Sequence, residues 1–172
     1  MQLDPFQLFD GPPTGITDMY TAMGRALWFC QCFEEALAYC LCLLFDIQRG
    51  TAEEIADKVL ADKRRKTLGQ LVKEIADKKS PLIPELLEKR LSKFTEERNW
   101  LAHRIQYQNH TDMYHGDRFA LLLKRLEAMK VEAQTLAKVF ERFLDDWYRK
   151  QGLTQEELAR RMKKTLLEWK TT

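Results

Sequence analysis

No stretch of this sequence alternates apolar and polar residues, and its β-branched residues are scattered, so no segment reads as a strand. That excludes sheet-based folds. Excess charge is missing too: 28 basic and 26 acidic side chains leave a net +2, too little to hold nucleic acid by bulk electrostatics. Any such binding must rest on local patches. The start, Met1-Gln2-Leu3-Asp4-Pro5, has neither a charged n-region nor an apolar h-region, so no secretory leader is expected. No apolar run is expected to span a bilayer. The greasiest stretch, Ala36 to Ile47, is expected to be a buried core helix. Together these absences point to a cytoplasmic protein with no membrane partner.

Cysteine is sparse, and its placement argues against a metal centre. Cys30, Cys32, Cys40 and Cys42 form two Cys-x-Cys pairs. On a helix, residues two apart diverge by about 200°, so neither pair can share a tetrahedral ion. All four are expected to act as small buried hydrophobes, and neither metal nor cofactor is expected. Internal repeats and low-complexity segments are also absent.

What the chain does have is helical periodicity over 172 residues, a length that suits one domain with a sizeable core. Pro5, Gly11, Pro12, Pro13 and Gly15 crowd the first fifteen residues, which read as an extended arm (1–15). A first long helix is expected over Ile16–Gln48, closed by Gly50. Thr51-Ala52-Glu53-Glu54 has the form of a capping box and opens a second helix running to about Lys79. Ser80-Pro81 separates it from a third helix reaching roughly Asn109, and Gly116 marks the loop before a fourth over Asp117–Lys150. Residues 151–172 read as a short C-terminal amphipathic helix behind a second box, Thr154 to Glu157. The expected fold is all-α: a bundle of four long helices (16–150) plus a short one. Gly24 and Gly69, inside helices, are expected where two helix backbones approach closely. The basic runs Lys63-Arg64-Arg65-Lys66 and Arg160-Arg161 with Lys163-Lys164 are expected to be solvated helix faces.

The third helix carries the chemistry. Its apolar seam is Leu87, Leu91, Phe94, Leu101 and Ile105, and the seven-residue gap skips Arg98. A cation therefore sits in a slot that the periodicity assigns to the core edge. Its stem can pack while its head reaches the rim, and its planar fork suits phosphate oxygens. The neighbouring stripe is polar: Glu96, Asn99, His103, Gln106, Tyr107 and His110. Asn99, His103 and Tyr107 follow at intervals of four and can share one face. His103 lies about 140° round the helix from Arg98, so the two could border one groove from either side. A histidine can exchange protons near neutral pH.

Arg98-Asn99-Trp100-Leu101-Ala102-His103 resembles the signature of the HEPN superfamily, in which an Arg is followed by a polar residue, a short spacer and a His. The likeness is specific over this hexapeptide and loose elsewhere; Thr67-Leu68-Gly69-Gln70-Leu71 is faintly reminiscent. The resemblance implies a helical bundle that homodimerises, bringing two motifs into one composite cleft. It also implies a metal-independent endoribonuclease of the toxin–antitoxin or phage-defence kind, with RNA as substrate and an antitoxin or regulatory protein as possible partner. Carried over, Arg98 would hold the scissile phosphate, His103 would act on the 2′-hydroxyl or the leaving oxygen, and Asn99 would orient the same groups. Tyr107 and Glu96 would be accessory. HEPN toxins paired with nucleotidyltransferase antitoxins usually carry Tyr two residues after the His; that position here is Ile105.

Three other readings compete. The loop His110-Thr111-Asp112-Met113-Tyr114-His115-Gly116-Asp117 offers ligand types for a transition ion. Gly152 to Met162 resembles the first helix of a helix-turn-helix, although no turn and recognition helix follow. The third alternative is a HEPN-like bundle without activity, serving as a dimerisation or protein-interaction module.

Overall fold

The computed structural model describes residues 15–47, 51–79 and 83–152. Among these the chain is all-α, with six helices and no strand. They are α1 (Ile16–Leu41), α2 (Glu53–Arg64), α3 (Leu68–Lys78), α4 (Glu85–His103), α5 (Ile105–Asn109) and α6 (Gly116–Lys150). A π-turn, Cys42–Asp46, ends α1, and a 3₁₀ turn, His110–Tyr114, joins α5 to α6. Residues 1–14 of the expected arm, the Gly50 and Ser80-Pro81 stops, and the C-terminal helix with its Thr154 box lie outside the described residues. So does the second basic run.

The second long helix is corrected to two short ones. Leu68 opens α3 with Thr67 as its cap: the Gln70 amide donates to Thr67 Oγ1 at 3.3 Å, and the Thr67 amide donates to Gln70 Oε1 at 2.8 Å. This reciprocal box satisfies the first free amides of a new helix, so the chain turns at Arg65–Thr67 instead of continuing. At the start of α2 the N-cap is Ala52, one residue later than the expected Thr51. The third helix also breaks: Arg104, at φ −124°, leaves helical geometry, and α5 resumes at Ile105.

Direction follows from side-chain reach. Gly15 lies against Phe119 and Cys40 reaches the Phe140 carbonyl, so α1 and α6 run parallel. Arg90 pairs with Glu132 and Glu97 with Arg125, so α4 runs antiparallel to α6. The short α2 and α3 make the down-and-up return that lets two long helices lie in the same sense. At the centre, the Phe33 ring meets Phe94 edge-on at 5.5 Å and Phe140 at 5.9 Å. Around them Leu37, Leu41, Leu71, Ile75, Leu91, Leu126 and Leu136 are fully buried, a continuous apolar core.

Three smaller expectations change. Cys30, Cys40 and Cys42 are buried, but Cys32 is exposed; the same 200° divergence that separates it from Cys30 points it outward. A Cβ on Gly24 would meet nothing within 4 Å, so among the described residues no helix approaches there, whereas at Gly69 it would touch Thr95 of α4 at 3.7 Å. Finally, Ile16–Asp46 is long and apolar enough to cross a membrane by length and composition, although 44% of its most apolar window is buried. Core helices of soluble proteins pass the same test. The expectation of no spanning run weighed Ala36–Ile47 alone and not the whole of the helix expected over Ile16–Gln48.

Candidate functional site

The slot that periodicity assigned to Arg98 is where the side chain lies, at the edge of the core and 21% exposed. There it faces α1 and meets a partner the sequence did not reveal. Arg98 Nε and Nη2 donate to the Glu34 carboxylate at 2.6 and 3.4 Å. This charge-assisted fork ties α4 to α1 beside the Cys30 thiol. Burial first, then the Glu34 charge, push that thiol up to about 12 against the opposing pull of Arg98, so it stays protonated and inert. Glu34 holds one edge of the guanidinium and leaves Nη1 without a described partner.

His103 is the last residue of α4. It is exposed and makes no hydrogen bond or ion pair with any described residue. The expectation that Asn99, His103 and Tyr107 meet on one face is not met. Asn99 is half-buried on α4, with no bond to His103. The break at Arg104 then carries Tyr107 onto α5, where it is 85% exposed. Nor do Arg98 and His103 border one groove within a protomer: the first faces α1, the second faces solvent. Glu96 is exposed on the rim of a shallow groove between α3 and α4, with Val72, Ala76 and Lys93.

Trp100, a spacer in the motif, proves to be a structural anchor. It is 4% exposed, and its indole Nε1 donates to Asn109 Oδ1 at 3.1 Å. The Asn109 amide in turn donates to Asp112 Oδ2 at 2.7 Å. On its other side, the exposed Arg125 guanidinium lies 3.5 Å from the ring centroid while forking onto Glu97, a cation–π contact. This stack fixes α5 and the 3₁₀ turn against α4, and so fixes where the His103 end of α4 projects. A Trp one position before a buried Leu was the available signal, since a buried indole usually finds an acceptor.

The first basic run is exposed at Arg64, Arg65 and Lys66, as expected of a solvated face, and departs from that expectation only at Lys63. Lys63 is 4% exposed and bonds to both Asp46 and Glu74, while Lys78 reaches both of these carboxylates and Lys66 reaches Glu74. Arg64 is paired with Glu35. Burial alone would raise the Glu74 carboxyl, but the lysine hydrogen bonds outweigh it and hold the group down at about 2. Lys63, Lys66 and Lys78 thus form an ion network that joins the π-turn, α2 and α3, with Lys63 its buried member.

Among the described residues no cluster of three or more His, Cys, Asp or Glu could hold an ion, and Asp112 of the histidine loop is engaged by Asn109 and, at 3.8 Å, by Arg118. Comparison with family models, with curated proteins and with solved structures gives no match for this chain.

Proposed function

We propose that this chain is a cytoplasmic, HEPN-like endoribonuclease that cleaves RNA without a metal at a site completed by a second copy. On this reading it works in a toxin–antitoxin or phage-defence setting, under an antitoxin or regulatory partner. The supporting observation is the division of labour along α4. A half-buried guanidinium is oriented by Glu34 with one edge unclaimed, and five residues on, an unpartnered imidazole projects from the helix end. Orientation of a first group by a second is how sites are preorganised. Because the two groups diverge within one copy, a phosphate held by Arg98 needs an imidazole from the neighbour.

In this mechanism a neutral His103 takes the 2′-hydroxyl proton, and the 2′-oxygen attacks the adjacent phosphorus. The bond to the 5′-oxygen breaks, and a second imidazole protonates that leaving oxygen. Arg98 stabilises the charge that builds on the phosphoryl oxygens, usually the largest catalytic contribution. Asn99 orients the same oxygens, with Tyr107 and Glu96 accessory. The products are a 2′,3′-cyclic phosphate and a 5′-hydroxyl, and DNA is left intact. The test is incubation of wild type, Arg98→Ala and His103→Ala with a mixed RNA pool in EDTA. Cleavage by wild type alone, leaving cyclic-phosphate ends, supports the reading; cleavage by all three rejects the site.

A second reading has its own observation. Glu34 neutralises Arg98 and gives it a structural task, which favours an inactive HEPN-like dimerisation or protein-interaction module. Folded protein in which none of the three forms cuts RNA, while Arg98→Ala lowers thermal stability, selects this reading.

A further inference from the structure

The outer face of α1 exposes two large aromatic side chains on one helix. Tyr20 and Trp28 are 61% and 64% exposed. Gly24 stands between them with open space where its Cβ would be, and Cys32, also exposed, comes one turn later. A helix this apolar is ordinarily buried all round, yet here only one side is covered. The four residues recur every fourth position, so they form a single oblique ridge, the kind that packs against a like ridge at about 50°.

We infer that this ridge docks a second copy of the chain, α1 against α1 in antiparallel sense about a two-fold axis near residue 26. An isologous contact must be self-complementary, and this ridge is. With the axis midway between Gly24 and Trp28, each indole drops into the notch above the partner's Gly24, and each Tyr20 lies over the partner's Cys32. Aromatic side chains bury about 150–250 Å² each. Four of them, roughly three-fifths exposed, supply about 400–600 Å² toward the roughly 1,200 Å² at the lower end of specific interfaces. Thr17 and Thr21, exposed on the same face of α1, add to this area. Arg25, next to the notch, is placed to cover the incoming indole. Glu34, which meets Arg98, lies about 100° round α1 from the middle of this ridge, so the pairing stands independently of RNA cleavage.

Cys32 is a built-in reporter, because the other three cysteines are buried. In the antiparallel register the two Cys32 positions lie roughly 18 Å apart along the axis, too far for a disulfide, while position 20 faces the partner's Cys32. The experiment is sedimentation of the full chain with Gly24→Leu and Trp28→Ala variants, plus oxidation of wild type, Tyr20→Cys and Tyr20→Cys/Cys32→Ser, folding being checked by circular dichroism. The expected result is a wild-type dimer weakened at least about tenfold by either substitution. The crosslink should join residue 20 to Cys32, form only with Tyr20→Cys, and vanish with Cys32→Ser. A monomer at all concentrations, a dimer indifferent to both substitutions, or a wild-type Cys32–Cys32 crosslink overturns it. So does monomeric protein whose Trp28 inserts into phosphatidylcholine vesicles, which would make the occupant lipid.

Discussion

At the scale of the residue, Arg98 shows what periodicity can and cannot deliver. The seven-residue gap in the α4 seam placed its stem at the core edge, because burial repeats along one helix and is written locally. Its partner, Glu34, lies 64 positions away on another helix, and nothing local encodes that. Both side chains are about four-fifths buried, so Glu34→Gln, which leaves a cation with a weakened acceptor, is expected to cost about 1–3 kcal/mol in urea denaturation. Arg98→Lys keeps the charge but loses the planar fork. It is expected to melt close to wild type and above Arg98→Ala, yet to abolish RNA cleavage. Retained cleavage in Arg98→Lys would mean that the fork is not what holds the phosphate. Gly24 makes the opposite case: with open space at its Cβ, Gly24→Ala is expected to stabilise the monomer by about 1 kcal/mol, read as a raised melting temperature at low concentration.

At the scale of the element, the α2–α3 corner is held by charge more than by grease. No glycine or proline interrupts the chain between Glu53 and Lys79 except Gly69, so the expected helix ran on through Arg65–Lys66. The Thr67-x-x-Gln70 box that breaks it has the same form as the Thr51 one, which the chain does not use for its N-cap, and only packing decides between them. Glu74 gives this corner a pH dependence. Its folded carboxyl is held at about 2, below the ordinary 4.5. The stability it contributes is therefore complete above about pH 4.5 and is lost as the pH falls toward 2. The wild type should lose on the order of 2–3 kcal/mol across that window through this one group, and Glu74→Gln should flatten the acid limb. If Glu74→Gln and wild type show the same acid profile, the network does not bear on stability. Lys63→Ala removes the buried member of the network but leaves Lys66 and Lys78 on its carboxylates, so it is expected to cost about 1–3 kcal/mol in urea denaturation.

At the scale of the whole molecule, helix content was legible and helix direction was not. Lack of alternation and clean helical periodicity gave the all-α class. The parallel course of α1 and α6 depends on α2 and α3 folding into a short return, which no single segment announces. That course brings three aromatic rings from three helices together, with Phe33 of α1 touching both Phe94 of α4 and Phe140 of α6. Phe33→Ala removes both ring contacts and opens a cavity that only a slide of α1 could close, and α1 is tethered at Glu34, at Cys40 and through the Tyr39–Tyr148 hydroxyl pair at 2.8 Å. The loss is therefore expected at about 3–5 kcal/mol, a large share of the roughly 5–15 kcal/mol that holds a domain together. Trp28, Trp100 and Trp147 sit on α1, α4 and α6, so fluorescence and far-ultraviolet dichroism report on all three long helices at once. In urea the two signals should move together to a lower midpoint in Phe33→Ala, as one cooperative unit does. A variant in which dichroism of the helices outlasts the fluorescence change would show that α1 and the α4–α6 pair fold separately, and that the aromatic trio is not what joins them.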